Sequence, residues 1–538
     1  MAKPKIPNQK KKYQELNGRL NRYVALVEQI YDTLNLEAAK AVSRTKYSPD
    51  SDKPFKWYDY PQTKKQIDDI QKHFVEDINA TIYRGTTEEW KNSNEAQDLI
   101  ANKVLKAYNA QVDKEKYKIL YQTNSDALKA FQNRKDKGFN ISAKLWQQSM
   151  IYKEELEAAI SCAIQKGTSA VTLSKQISKY LLDFPLLQKD YKDRYGSAEH
   201  IQDCEYRSIR LARSEINMAY RTAENERWKQ MDFVVGYEIK LSSSHHSRMP
   251  HGDICDTLAG KYPKDFTWTG WHPNDLCYKV PILKTEEEFW EWDGRNDVST
   301  DSINEVKDVP DEFKKWVLEN HQKIEKAQKR NTLPYFLRDN KSIVQNINTE
   351  NSAKELVNRA SLVGNEVQSL AESIAKKNKG FVTPINYKSI SSITRKVTTE
   401  GITPYDIKDA VRTTIIVPRS QIDQVLNELS ESDSFVRLKR QKPESFMGYS
   451  GNIVNIQTSN GLIAEIQVNT ERMIYAKEKP EDAKRILGEK RWKEIQKQTG
   501  MEGGLGHKYY EEWRVLDKAD KKAQKIAEKS IEYYSHFQ

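Results

Sequence analysis

The spacing of the apolar residues changes part-way along this chain, and that change constrains the fold more than any other feature. Near the start Leu16, Leu20, Tyr23, Val27, Ile30 and Leu34 are spaced 4, 3, 4, 3, 4, which lines one stripe of an α-helix in need of a partner. Segments around 64–82, 95–132 and 141–182 continue in the helical style. Ile209, Ala212, Ile216, Ala219 and Ala223 repeat 3, 4, 3, 4, predicting a helix packed through small residues, with Arg210, Arg213 and Glu215 off that seam. Beyond residue 408, by contrast, DAVRTTIIVP, GNIVNIQTS and GLIAEIQVN alternate with a period of two, as strands do. A length of 538 residues, at roughly 150 per domain, implies three to four domains. The expected architecture is therefore multidomain: a mainly α N-terminal half over 1–230, and a small loop-rich β segment over 231–290 opening with the strand-like FVVGYEIKL. A charged helical linker over 291–345 and an α+β domain over 346–538 with a small mixed sheet complete it.

Composition narrows the chemistry. Lys plus Arg at 87 against Asp plus Glu at 77 leaves a net charge of +10, which favours an acidic partner such as nucleic acid, a nucleotide or an acidic protein surface. No run approaches 18 apolar residues, so no membrane-spanning helix and no membrane partner are expected. The basic start MAKPKIPNQKKKYQ leads into a polar helix rather than an apolar signal core, and no export signal is expected. Four cysteines, Cys162, Cys204, Cys255 and Cys277, are too few for a disulfide scaffold and point to a reducing compartment.

Two of those cysteines sit in HGDICDTLAGKYPKDFTWTGWHPNDLCYKVPIL. Cys255, His272, Asp275 and Cys277 are all zinc ligands when four converge tetrahedrally; the other reading is a knot of buried Cys and hydrogen-bonded His that closes a loop. ARSEINMAYRTAEN, ICDTLAGKYP and WHPNDLCYKVPIL together resemble the phage Mu F-like head-morphogenesis family. The resemblance covers roughly 60–290 and implies a minor head protein, held in a few copies inside the capsid near the portal. Portal and capsid proteins would be its partners. The location implied is the virion, with the host cytoplasm during assembly or after delivery. Asp275 stands where that family usually has the first Cys of a CRC triplet.

In the C-terminal region Lys388, Ser392 and Lys396 recur every four residues, hence on one helix face, where two ammonium groups around a hydroxyl suit a polyphosphate. In LIAEIQVN the alternation sends Leu462, Ala464, Ile466 and Val468 to one face and Glu465, Gln467 and Asn469 to the other. Asp409 enters the preceding strand, and two carboxylates on neighbouring strands can hold Mg²⁺ against nucleotide phosphates; the alternative is a sheet whose polar face is merely wet. The order KxxxSxxxK, DAVRTTIIV, FMGYSGNIVNI, AEIQVNTERM, GHKYYE resembles the RelA/SpoT-type pyrophosphokinase domain over about 380–515. That resemblance implies ATP and Mg²⁺ as cofactors and transfer of pyrophosphate to a nucleotide or tRNA 3′-hydroxyl. It makes Asp409 and Glu465 the magnesium and catalytic carboxylates, with Arg412 and Gln467 in support. Lys388, Ser392 and Lys396 become the ATP-phosphate contacts, Tyr449 the stack for the acceptor base, and His507 a rim residue. Asn386, Ile453 and Asn469 depart from the housekeeping pattern, which favours a toxin-like effector over an alarmone synthetase. The basic run Arg437, Lys439, Arg440 and Lys442 either grips acceptor phosphates or RNA or is an exposed hairpin. A purely structural virion protein that binds nucleotide without catalysis is the competing function.

Overall fold

The structure, a computed structural model, describes residues 4–45, 53–163, 169–291, 302–441, 446–517 and 520–538. It divides into two compact units, Met1–Val344 and Gln345–Gln538.

The first unit is built on three long helices, Gln9–Ser43, Pro61–Ala107 and Cys204–Gln230. The first buries the expected stripe except that Tyr31 replaces Ile30 in the core. Its hydroxyl reaches Ser208 Oγ at 2.8 Å, so the ring enters with its polar end satisfied. The second helix runs unbroken through 83–94, where the sequence suggested a gap, and stops at Ala107 rather than continuing to 132. Asn109 and Asn124, both at positive φ, interrupt the stretch that follows. Gly85 allows the close crossing with the third helix, since a Cβ there would lie 2.5 Å from Ile216 Cδ1.

The Cys204–Gln230 helix is buried well beyond its small-residue seam. Glu215, expected off the seam, is buried and meets Arg134 and Lys144. Arg221, Glu224 and Arg227 are buried as well. Glu224 pairs with Lys279 at 3.2 Å and accepts from the Tyr13 hydroxyl at 2.6 Å. Apolar periodicity cannot register such residues; buried charges persist only because each finds a partner from elsewhere in the chain. The same helix holds a three-stranded antiparallel sheet of order β2-β1-β3, with β1 Val234–Lys240, β2 Gly260–Tyr262 and β3 Tyr278–Leu283. Asn217, Arg221 and Asn225 bond the backbone carbonyls of the β2–β3 loop. Among the described residues no helix is long and apolar enough to cross a membrane.

The unit boundary falls in the helix Lys341–Lys377. The second unit carries a six-stranded mixed sheet: β4 Phe381–Val382, β5 Asn386–Tyr387, β6 Val411–Ile416, β7 Phe435–Arg440, β8 Asn452–Gln457 and β9 Ile463–Asn469. The order is β4-β6-β9-β8-β7, with β5 also on β6; β6 and β9 run parallel and the other pairs antiparallel. The alternation predicted β6, β8 and β9. β4 and β5 are two residues long and leave no periodic signal, while β7, whose basic run had an exposed hairpin as one of its two readings, pairs antiparallel with β8. One face of the sheet packs Val411, Ile415, Val454, Ile456, Ala464, Ile466 and Val468 against the Lys341–Lys377 and Ile422–Ser430 helices. A second small core gathers the helices Glu471–Lys477, Pro480–Leu487, Glu489–Thr499 and Lys521–Ser535 around Tyr475, Trp492 and Tyr533. The lysine-rich tail helix Lys521–Ser535 packs one side against this core through Tyr533 and Tyr534 and leaves Lys521, Lys522, Lys525 and Lys529 exposed. Gly448, at φ +81°, touches it so closely that a Cβ would lie 2.7 Å from Ile531 Cα.

Candidate active site

Strand register assembles a polar row on the face opposite the apolar core. Arg412 pairs with Glu465, Glu465 with Asn455, and Asn455 with Arg437, while Asn386 of β5 pairs with Arg412. Paired residues in a sheet point to the same side, so Glu465 has Arg412 beside it on one strand and Asn455 on the other, with Arg437 beyond Asn455 and bonded to its side-chain oxygen. The next row places Thr414, Gln467, Ile453 and Lys439 side by side. Of the basic run, Arg437 and Lys439 thus share the Glu465 face. Arg440 is one residue out of phase and pairs with Asp423 of the Ile422–Ser430 helix at 2.7 Å. Lys442 lies outside the described residues.

Asp409 precedes β6 and is held by two ammonium groups. Lys388 Nζ bonds one of its oxygens and Lys396 Nζ lies 3.4 Å from the other. Burial pushes the Asp409 carboxyl up, but the hydrogen bond and charge of Lys388 and the charge of Lys396 outweigh it and hold it below the usual carboxylate value. Lys388 follows Asn386 by two residues and its N–H continues the β5–β6 ladder to Ala410 O, which places it in phase with the polar row. Lys396 comes from the helix Ile390–Glu400, whose N-cap Ser389 accepts from Ser392 N at 3.2 Å. Ser392 therefore belongs to the first turn of that helix, and its hydroxyl bonds Ser389 Oγ at 2.9 Å.

Gln467 donates to Glu465 Oε1 at 2.7 Å and accepts from Lys477 Nζ at 2.9 Å. Lys477, at the end of the helix that follows β9, also lies 5.5 Å over the Tyr449 ring and 3.0 Å from Glu478. Burial pushes its ammonium pKa down, yet Tyr449 and Glu478 more than compensate and raise it. Sequence reasoning missed Lys477; the available signal was its position one short helix beyond the Glu465 strand. Asn455 was missed as well, and it is buried with Arg437 on its side-chain oxygen at 2.9 Å. Tyr449 hydrogen-bonds Asn469 and packs 5.8 Å from the Tyr534 ring. His507 lies apart from these contacts, lining a cavity of about 410 Å³ with Lys479, Pro480 and Glu511.

The donors suit a magnesium nucleotide: carboxylate oxygens are the ligands Mg²⁺ takes, and it is commonly held by one or two of them plus substrate phosphates. Ammonium groups such as the two now on Asp409 are of a type that can also contact phosphate.

The second cluster corrects the sequence reading. Asp275 is not among the metal-capable side chains: its carboxylate accepts from the backbone N–H groups of Trp271 and Cys277 at 2.8 and 2.7 Å and faces Arg221 at 3.7 Å. His245, unmarked in the sequence, stands with Cys255 and Cys277 instead, their ligand atoms all within 4.8 Å of one another. Both cysteines are free thiols.

No protein-family model matches the chain. Over 170 residues it is 38% identical to the (p)ppApp synthetase toxin Tas1 of Pseudomonas aeruginosa (strain UCBPP-PA14), covering 31% of this chain and 38% of the toxin. The chain thus spans well under half the length of that curated relative. The motifs that resemble pyrophosphokinases run from Lys388 to His507, inside the second unit. The chain carries a Tas1-like, pyrophosphokinase-like domain. A crystal structure of the Type VI effector Tas1 with its immunity protein matches at 35% identity and a TM-score of 0.33, over 35% of this chain and 96% of that one. The small alarmone synthetase 1 from Bacillus subtilis matches at 16% identity and a TM-score of 0.21, over 34% and 92%. The second unit contains both the polar row and the Asp409–lysine cluster.

Proposed function

We propose that the Tas1-like unit transfers pyrophosphate from ATP to the 3′-hydroxyl of a nucleotide or tRNA, as the effector part of a phage minor head protein. The observation that carries this reading is the Glu465 carboxylate in one polar row with Arg412, Asn455 and Arg437, in a chain that is 38% identical over 170 residues to a (p)ppApp synthetase toxin. Lys388 and Lys396 would leave Asp409 for the phosphates of ATP, and Arg412 would neutralise charge in the transfer. Bound Mg²⁺ would supply charge neutralisation at Asp409 and Glu465. The acceptor oxygen attacks the β-phosphorus, the bond to the α-phosphate oxygen breaks, AMP leaves, and Glu465 takes the hydroxyl proton. Tyr449, Lys439 and Lys477 would meet the acceptor. The N-terminal unit would be the assembly module, docking on portal and capsid proteins, with the chain carried in the virion and acting in the host cytoplasm. An immunity protein of the kind crystallised with Tas1 would be a further partner.

The test incubates the full chain with β-labelled ATP, Mg²⁺, adenine and guanine nucleotides and bulk tRNA. Labelled pyrophosphate should appear on one acceptor, and Glu465→Gln should slow the transfer on the order of a hundredfold or more. Nucleotide binding without transfer would favour the structural alternative. An equally fast Glu465→Gln variant would refute the role of the carboxylate.

A further inference from the structure

We propose that Lys477 is a positioning residue for the pyrophosphate transfer: it fixes the side-chain amide of Gln467 and, through that amide, the carboxylate of Glu465. The role rests on the transfer reading above and goes beyond meeting the acceptor.

An amide side chain can present either end to a neighbour, and its partners decide which. Gln467 is 7% exposed and stands between Glu465 and Lys477. An ammonium only donates, so the Gln467 oxygen must face Lys477 Nζ, and it does so at 2.9 Å. That leaves the NH₂ group for Glu465, where it donates to Oε1 at 2.7 Å. Reversed, the amide would set its oxygen against an ionised carboxylate, which offers no proton. Lys477 thus dictates that Glu465 receives a donor. One carboxylate oxygen is tied down, and Oε2, which has no hydrogen bond among the described residues, is left for the proton of the acceptor hydroxyl.

The lysine is itself held from several sides. Its helix, Glu471–Lys477, is capped by Thr470 and anchored in the second core by Met473, Tyr475 and Ala476. Its Nζ lies 3.0 Å from Glu478 and 5.5 Å from the centre of the Tyr449 ring, and the Tyr449 hydroxyl meets Asn469 at 3.0 Å. Asn469 ends β9 two residues beyond Gln467. Ring, lysine and amide therefore brace the strand that carries Glu465.

The test measures kcat, and KM for ATP and acceptor, on the full chain with β-labelled ATP and Mg²⁺. Lys477→Met should lower kcat by about tenfold or more, as a misplaced catalytic group does, and leave both KM values within about threefold. Lys477→Arg, which still only donates, should recover most of that loss. In a Gln467→Leu background Lys477→Met should cost under about threefold, because the two residues act as one unit. If Lys477→Met does not fold, Lys477→Gln takes its place: its amide stays polar but no longer dictates which end of Gln467 it meets, so kcat should fall about fivefold or more. A wild type that transfers no pyrophosphate would sink the transfer reading and this role with it. With an active wild type, an unchanged kcat in the variant, a loss confined to the acceptor KM, or an equal loss with and without Gln467 would overturn the role of Lys477 alone.

Discussion

Replacing Arg221 with Met tests whether one buried guanidinium holds the β2–β3 loop in place. Arg221 is 1% exposed. It donates to the carbonyls of Thr269, Asp275 and Cys277 at 3.1, 2.8 and 2.8 Å, and stacks 4.3 Å from the Trp268 ring. Met fills much of the same stem but carries no donors and no charge. Three carbonyls lose the Arg221 donor, although Asp275 O keeps Asn217, and the Asp275 carboxylate, also 1% exposed, loses its cation. Breaking a buried charge pair from one side costs about 3–5 kcal/mol. Asp275 keeps the Trp271 and Cys277 N–H groups, so the lower figure is the better one. Arg221→Lys keeps the charge but loses the fork that spans three carbonyls, and should cost less than Met. Urea unfolding followed by tryptophan fluorescence includes the loop in its signal, since Trp268 and Trp271 are two of the chain's 11 tryptophans. With a slope of about 3 kcal/mol per molar urea, 3 kcal/mol moves the midpoint by about 1 M. A shift below about 0.3 M for Arg221→Met would refute the reasoning, since that slope would then imply under about 1 kcal/mol.

Two further outcomes follow from packing and charge. Gly85→Ala gains about 1 kcal/mol of helix propensity. The added Cβ meets the Ile216 side chain at 2.5 Å, and because Ile216 is fully buried any shift disturbs its neighbours, so overpacking at about 1–3 kcal/mol is expected to exceed that gain; a raised melting temperature would contradict this. Asp409 is held below its unfolded value by Lys388 and Lys396, so its ion pairs stabilise the second unit above about pH 4, the unfolded carboxylate value. That contribution is lost as pH falls through the lower folded value. Wild type should exceed Asp409→Asn in stability at pH 7 and converge with it in acid; a gap that widens on acidification would show the sign to be wrong.

The sequence alone determined the division into helical and mixed parts and which face of each strand is polar. Both follow from local period: a residue's neighbours at two or at three to four positions decide which side of its own element it occupies, whatever packs there later. Glu465 and Gln467 were therefore legible as partners on one face before any fold was known. Tertiary structure alone decided everything that depends on distant chain segments. Tyr13 meets Glu224 across 211 residues, and no local pattern records that the Cys204–Gln230 helix buries Glu215, Arg221 and Arg227 with their partners. His245 replaced Asp275 in the cysteine cluster for the same reason. Asp275 is nearer in sequence to Cys277, but that proximity let its carboxylate close onto adjacent backbone amides. Lys477 reached Gln467 only because the chain turns into a helix after β9, and the tail docked only because Gly448 left room. Elements arise from neighbours in the chain; sites arise from where the folded backbone brings separate elements together, and hydrogen-bond satisfaction on burial decides which side chains can stay.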